Sequence, residues 1–433
     1  MRQLLGQHLL LWCAALVVAV NASAETFASG KNAAAKLLDQ AAGLEREGRF
    51  ESALVAYKEL LGKSLTGEVR EETLRRCARL YYQGAEYDQA RALYQKQLQE
   101  FSKGKRAAEA LAMLAWTHLA LGETDYAGNR FSELLANFPQ SAQAPEAAYW
   151  LALSAADEKE GVAALGYVDW LIQELAPVER RSSERHTRLW QRALCLKCQL
   201  AAETGQWQSI KQLLAEHSGQ MDEGADRTKA LFWLAEAEFR TKHFEQARVQ
   251  FAQLQPLIIG LSESWVAMVP LRRTQLAARR QQWAEVLKQV EQLKRDFPDF
   301  PLRYEVDYLH GRAQAGLGQM TAARRSYHRV LENDVARNTE TAARAQWMIG
   351  ETFFHQQDYP RAGAAYAKVM EYQEESDWQA RAALQAGKCW ELQEDWKQAR
   401  DVYQAALQRW QASESASQLQ ARLHWTEKQM LRR

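Results

Sequence analysis

The sequence predicts an all-α fold, an α-solenoid of about ten helix-turn-helix repeats closed by a C-terminal capping helix. Three observations carry this expectation. Gly350-x8-Tyr359-x2-Ala362-x3-Tyr366 returns 37 residues later as Gly387-x8-Trp396-x2-Ala399-x3-Tyr403. Ala, Gln, Leu, Glu and Arg, all good helix formers, dominate a chain with only 8 Pro in 433 residues. Aliphatic alternation typical of strands is scarce. A small residue, an aromatic, an alanine and a second aromatic at these offsets describe two helices packed face to face. One such pair cannot bury its apolar stripe alone, so it requires neighbours.

Residues 1–24 read as a secretory signal peptide. Arg2 supplies the positive start, Leu9 to Val20 form an uncharged apolar core, and Ala22-Ser23-Ala24 gives a small-x-small cleavage site. The apolar run is short of the roughly 20 residues that span a bilayer, so cleavage after Ala24 and export are expected, with no membrane insertion afterwards. Residues 25–32 form a polar lead. Loss of Arg2 leaves 54 basic and 54 acidic residues. That balance argues against nucleic acid as the main ligand.

Repeats follow from residue 33. The alanine of the second helix anchors the series Ala53, Ala90, Ala127, Ala164, Ile210, Ala247, Val286, Ala323, Ala362 and Ala399. Twelve residues before each anchor, from Ala41 to Gly387, every residue is small. Four after each, from Tyr57 to Tyr403, every residue is apolar or aromatic. Three before each, an aromatic or Met stands in all but Thr124 and Gly161. These columns divide the chain into repeats one to four over 33–173, a linker loop over 174–186 and repeats five to ten over 187–411. The linker holds the nine residues by which the gap of 46 between Ala164 and Ile210 exceeds the usual 37, together with Pro177 and Arg180-Arg181-Ser182-Ser183. A final helix over 417–433, with Leu419, Leu423, Met430 and Leu431, caps the last repeat.

No catalytic constellation emerges: the nine histidines are scattered, with no His-Glu-x2-His, phosphate-binding glycine loop or Gly-x-Ser-x-Gly. Cys195-x2-Cys198 is the one motif suggestive of metal or redox chemistry. A zinc site would want a second pair or histidines at ligand spacing, and a redox pair would open a helix. Both cysteines instead fall inside a predicted helix, Cys198 in the small-residue column, so a packing role is expected. Neither an enzymatic activity nor a cofactor or metal is predicted.

With these columns on the page, the chain resembles the tetratricopeptide repeat family over nearly all of 33–411. Phe138-Pro139-x-Ser141-x2-Ala144-x2-Ala147-x-Tyr149-x-Leu151 is similar to repeats of periplasmic TolA-binding and outer-membrane-assembly proteins of bacteria. The resemblance implies a right-handed superhelix whose first helices line a concave face, at fifteen, fourteen and eleven residues before each anchor. Those columns place Met113, Trp116, Tyr149, Trp150, Phe232, Trp233, Tyr308, Leu309, Trp347 and Met348 in a peptide-binding groove. Arg75, Arg76 and Arg79 would form a basic end to it, for acidic side chains or a carboxylate. The family's chaperone-tail binders use a Lys/Asn clamp that no repeat here carries.

The function expected is a non-enzymatic exported scaffold or adaptor that binds segments of cell-envelope proteins. By resemblance, its partners would belong to Tol-Pal, outer-membrane assembly or polysaccharide-export machinery. The alternatives are a non-catalytic subunit or helical module of a cell-wall enzyme or polysaccharide-export complex, and a self-associating spacer. About 20 residues follow the last repeat, too few for a catalytic domain.

Overall fold

The computed structural model describes residues 33–432 apart from 64, 66, 182 and 373–375; the expected leader and polar lead, over 1–32, lie outside the described residues. Every element among the described residues is helical, and none is a strand. The chain forms two compact units, one up to Gly205 and the other from Gln206. The division lies in the turn of the fifth predicted repeat.

The first unit contains α1 (33–46), α2 (Phe50–Leu61), α3 (Gly67–Gln83), α4 (Tyr87–Glu100), α5 (Ala107–Ala120), α6 (Thr124–Asn137), α7 (Ala144–Asp157), α8 (Gly161–Glu174) and α9 (Glu184–Glu203). The second contains α10 (Trp207–His217), α11 (Ala225–Arg240), α12 (Phe244–Leu257), α13 (Met268–Arg279), α14 (Trp283–Asp296), α15 (Arg303–Gly316), α16 (Met320–Leu331), α17 (Glu340–His355), α18 (Tyr359–Val369), α19 (Ser376–Leu392), α20 (Trp396–Arg409) and α21 (Ala416–Arg432). Within each unit successive helices pack on one another, forming an α-solenoid of helix hairpins. No described helix is long and apolar enough to cross a membrane.

The sequence columns explain why the hairpins close. All ten anchor residues, all ten small residues and all ten apolar residues after the anchor are buried. The third column marks where each second helix begins: Phe50, Tyr87, Thr124, Gly161, Trp207, Phe244, Trp283, Met320, Tyr359 and Trp396 are the first residues of α2, α4, α6, α8, α10, α12, α14, α16, α18 and α20. In the last three repeats the small residue must be glycine, because tyrosine lies directly over it. A Cβ on Gly311 would stand 2.5 Å from Tyr327, and one on Gly350 2.6 Å from Tyr366.

A fourth regularity governs the turns. Five residues before each anchor the backbone is left-handed, at Gly48, Ala85, Gly122, Lys159, Gly205, Lys242, Gln281, Gly318, Gln357 and Glu394. This reverses the chain and returns two amides to the first helix. The Gly122 and Glu123 amides donate to the carbonyls of Leu119 and His118 at 3.0 and 2.9 Å, closing a Schellman-type end. At several of these turns the aromatic that opens the second helix is covered by the following repeat. Arg240 lies over Trp207, and Arg279 lies 3.7 Å from the Phe244 ring centre. Where Trp283 occupies this joint, the facing position is Gly316, whose missing side chain gives the indole room.

The expected linker over 174–186 contains a short 3-10 turn, Val178–Arg180, and already includes the first turn of α9. Ser183 caps that helix by accepting the His186 amide at 3.2 Å. At the other end, α21 docks on the last hairpin through Leu419, Leu423 and Thr426. Leu431, expected to help, is exposed.

Candidate functional site

Of the residues expected to line a groove, three converge on one cleft in the first unit. Trp116 comes from α5, and Tyr149 and Trp150 come from α7; with Leu153 they form the aromatic and apolar side of a cleft of about 360 Å³. The facing wall is α9, which contributes Arg185, Arg188, Leu189 and Arg192, and Glu146 of α7 completes the lining. In the first unit α7 bears on α9, and the aromatic floor is held from beneath by the repeat core. Phe131 is fully buried between the two indoles, with ring centres 5.2 Å from Trp116 and 5.0 Å from Trp150. Gly128 faces the Trp150 ring, and a Cβ there would make an ordinary van der Waals contact with it at 3.6 Å.

The polar wall exists because α9 is long. It spans 20 residues against 14 in α7, and the additional turns at its start carry Arg185 and Arg188. Arg185 pairs with Glu146. Burial raises the Glu146 carboxyl above the usual carboxylate range, with Arg185 and His186 opposing the shift. Arg188 pairs at 3.2 Å with Glu184, one turn earlier on the same helix and largely exposed. A concave, aromatic-floored cleft with cations along one wall suits capture of a side chain together with an anionic group.

The other expected residues have different roles. Met113 packs against the core of the first hairpins. In the second unit, Trp233 packs in the core around Phe251, while Tyr308 lies on Tyr327, and Trp347 on Tyr366 and Trp378. Met348 is a partly buried contact of the core around Tyr327. Phe232 requires correction: it is 3% exposed and belongs to the core, with Trp265 5.0 Å away and Trp233 5.3 Å away. Trp265 precedes α13, outside the repeat columns, and it closes over Phe232. Leu309 is likewise buried.

The expected basic end is also corrected, because its charges are matched. Arg75 pairs with Glu72 and Glu109, Arg76 with Glu72 and Glu45, and Arg79 with Glu45. Burial alone would raise the Glu72 carboxyl, but hydrogen bonds from Arg75 and Arg76 and the charge of Arg106 hold it down at about 2. This is a neutralised network joining the first three repeats. Cys77, Cys195, Cys198 and Cys389 are all buried, and burial pushes the Cys77 thiol up to about 11. Among the described residues no group of His, Cys, Asp and Glu could hold a metal ion.

Sequence reasoning missed Glu146, Leu153, Arg185, Arg188, Leu189 and Arg192. The available signal was the insertion before Ile210, followed by Ser183 as a helix cap and arginines at helical spacing.

Tetratricopeptide repeat models match residues 308–373, and also 109–141 and 381–413. These are the eighth and ninth repeats, the third, and the tenth, so the chain carries tetratricopeptide repeats. No curated protein matches. Similar solved structures include a tetratricopeptide repeat protein from Parabacteroides merdae, at 14% identity over 74% of this chain and 98% of that one, with a TM-score of 0.32. Yeast Tom70 is 12% identical over 92% of this chain and 96% of its own, with a TM-score of 0.36. The tetratricopeptide repeat domain of P58(IPK) is 15% identical over 92% and 98%, with a TM-score of 0.35. These superpositions are loose.

Proposed function

We propose that this repeat chain is a non-enzymatic scaffold that holds a segment of another protein, with the cleft over Trp116, Tyr149 and Trp150 as its principal contact. The observation that carries the reading is that cleft: two tryptophans braced on Phe131, with Tyr149 beside them, partly exposed and facing a polar wall. Rigid aromatic side chains lose little freedom on binding, so their contact area contributes efficiently to affinity. Export with cleavage after Ala24, and partners in the cell envelope, belong to the same proposal and rest on the leader sequence and the resemblance of the fourth repeat.

The test compares proteins captured from the native envelope by the full chain and by two surface variants. Leu153 is 42% exposed at the cleft, and Val162, on α8, is 89% exposed and does not line it. Leu153→Asp should abolish capture of the partner and Val162→Asp should leave it intact. Equal capture by both variants would exclude the cleft as the contact.

A further inference from the structure

The seventh and eighth repeats meet where α14 packs on α15, and this joint encloses a cluster of ionisable side chains. Asp307 of α15 is 5% exposed and holds two cations from different helices. Lys294 of α14 pairs with it at 2.8 Å, and Arg329 of α16 at 3.1 Å. His310, half-buried, lies one turn further along α15. Lys294 Nζ donates to its Nδ1 at 3.1 Å. The Gln314 amide lies 3.1 Å from the other ring nitrogen, Nε2, and Glu291 of α14, largely exposed, lies 3.8 Å from it. The charged groups of the other helices that touch α15 are engaged elsewhere. On α13, Arg272 is held by Glu236, Arg273 by Gln255, and Arg279 lies over Phe244. On α17, Glu340 holds Arg344 and Glu351 accepts from Tyr366. Arg312 of α15 itself lies over Trp283.

This geometry suits a neutral imidazole. Nδ1 accepts a proton from Lys294 only while it carries none of its own, and an imidazolium is a donor at both nitrogens. With His310 neutral the cluster balances, Lys294 and Arg329 against Asp307 and Glu291. Protonation breaks the Lys294 bond and leaves a third cation beside the ammonium, where partial burial weakens screening. Lys294 cannot withdraw without also leaving Asp307, a buried carboxylate that needs its partners. The repulsion therefore falls on the packing of α14 against α15.

We propose that this cluster makes an acid-sensitive joint, in which protonation of His310 loosens the seventh repeat from the eighth. The inference is independent of what occupies the cleft in the first unit. Burial, and after it the charge of Lys294, hold the His310 imidazole below its ordinary value of 6.5. The fold thus takes up this proton less readily than the unfolded chain does. The joint is at full strength above pH 6.5 and weakens as pH falls below it. In a stack of nearest-neighbour contacts the loosening stays near its origin.

The test measures amide exchange of the full chain at about pH 7.5 and about pH 5, the latter still above the ordinary carboxylate range. Rates are expressed as protection relative to an unstructured chain. Protection in α14 and α15 should fall several-fold at the lower pH, while α19 and α20, which contain no histidine, keep theirs. His310→Gln, which cannot take up the proton, should abolish the fall. In a histidine-labelled NMR titration, the signal missing from His310→Gln should titrate below 6.5 in wild type and move up in Lys294→Met. An equal loss of protection in all four helices would overturn the proposal, as would a fall that persists in His310→Gln. A His310 signal that titrates at or above 6.5, or that Lys294→Met does not move, would overturn it too. The exchange comparison needs only the wild-type chain, so it decides the matter even where a variant fails to fold.

Discussion

Gly350 and Gln281 illustrate two kinds of constraint on a single residue. Gly350 is fixed by contact, since any side chain would strike the ring of Tyr366. Gly350→Ala should therefore lower stability by about 1–3 kcal/mol, the usual cost of overpacking, measured as a shift in the urea midpoint at unchanged slope. Gln281 is constrained by backbone alone, in the left-handed region at φ 56°. A side chain there costs roughly 1 kcal/mol, partly offset by the extra freedom glycine gives the unfolded chain. Gln281→Gly should thus stabilise by about 0.5 kcal/mol, and Gly318→Ala, at φ 75°, should destabilise by about 1 kcal/mol. Glu72 adds a pH dependence. Its carboxyl is held down at about 2 in the fold, against an ordinary value of 4.5. The network's stability is therefore complete above pH 4.5 and lost as pH falls towards 2. Glu72→Gln should flatten that part of the acid-unfolding curve, removing about 1–2 kcal/mol at neutral pH once solvent screening is allowed for.

At the scale of an element, α21 is pinned by one carboxylate. Glu391 of α19 accepts from Tyr403 Oη at 2.9 Å, Arg422 Nε at 3.0 Å and Thr426 Oγ1 at 3.3 Å. Glu391→Ala should leave buried donors unmatched and cost about 2–3 kcal/mol. Amide exchange should accelerate over 416–432 well before it changes over 33–46. The elements also show why some of the molecule was readable and some was not. The hairpin columns were legible because each imposes a side-chain size: Ala362 and Tyr366 fit only one way. The left-handed turn was invisible because it selects a backbone state, and Lys159, Gln281 and Glu394 each tolerate it for a modest cost. The cleft was half legible. Trp116, Tyr149 and Trp150 sit at repeat positions, whereas Arg185 and Arg188 ride on helix turns built from an insertion that reads as a loop. Phe232 was misplaced because its cover, Trp265, belongs to no column.

For the whole molecule, each unit is a chain of nearest-neighbour contacts, with separate apolar clusters following one another along the sequence. Stability in such a stack is a sum of hairpin and interface contributions, so damage should stay local. Phe251→Ala, which empties a fully buried ring position, should cost about 3–5 kcal/mol and speed exchange in α11, α12 and α13 far more than in α19 and α20. Most of the first-helix positions expected to line a groove are packed against neighbours, and the first unit leaves one stretch of them open as the cleft. A photo-reactive residue at Leu153, with a second at Val162 as control, tests the central claim most directly, by irradiating the full chain in its native cells. The account predicts an adduct at position 153 with another protein and none at 162. Adducts at 162 alone, or none at 153 while the chain still co-purifies with its partner, would contradict it.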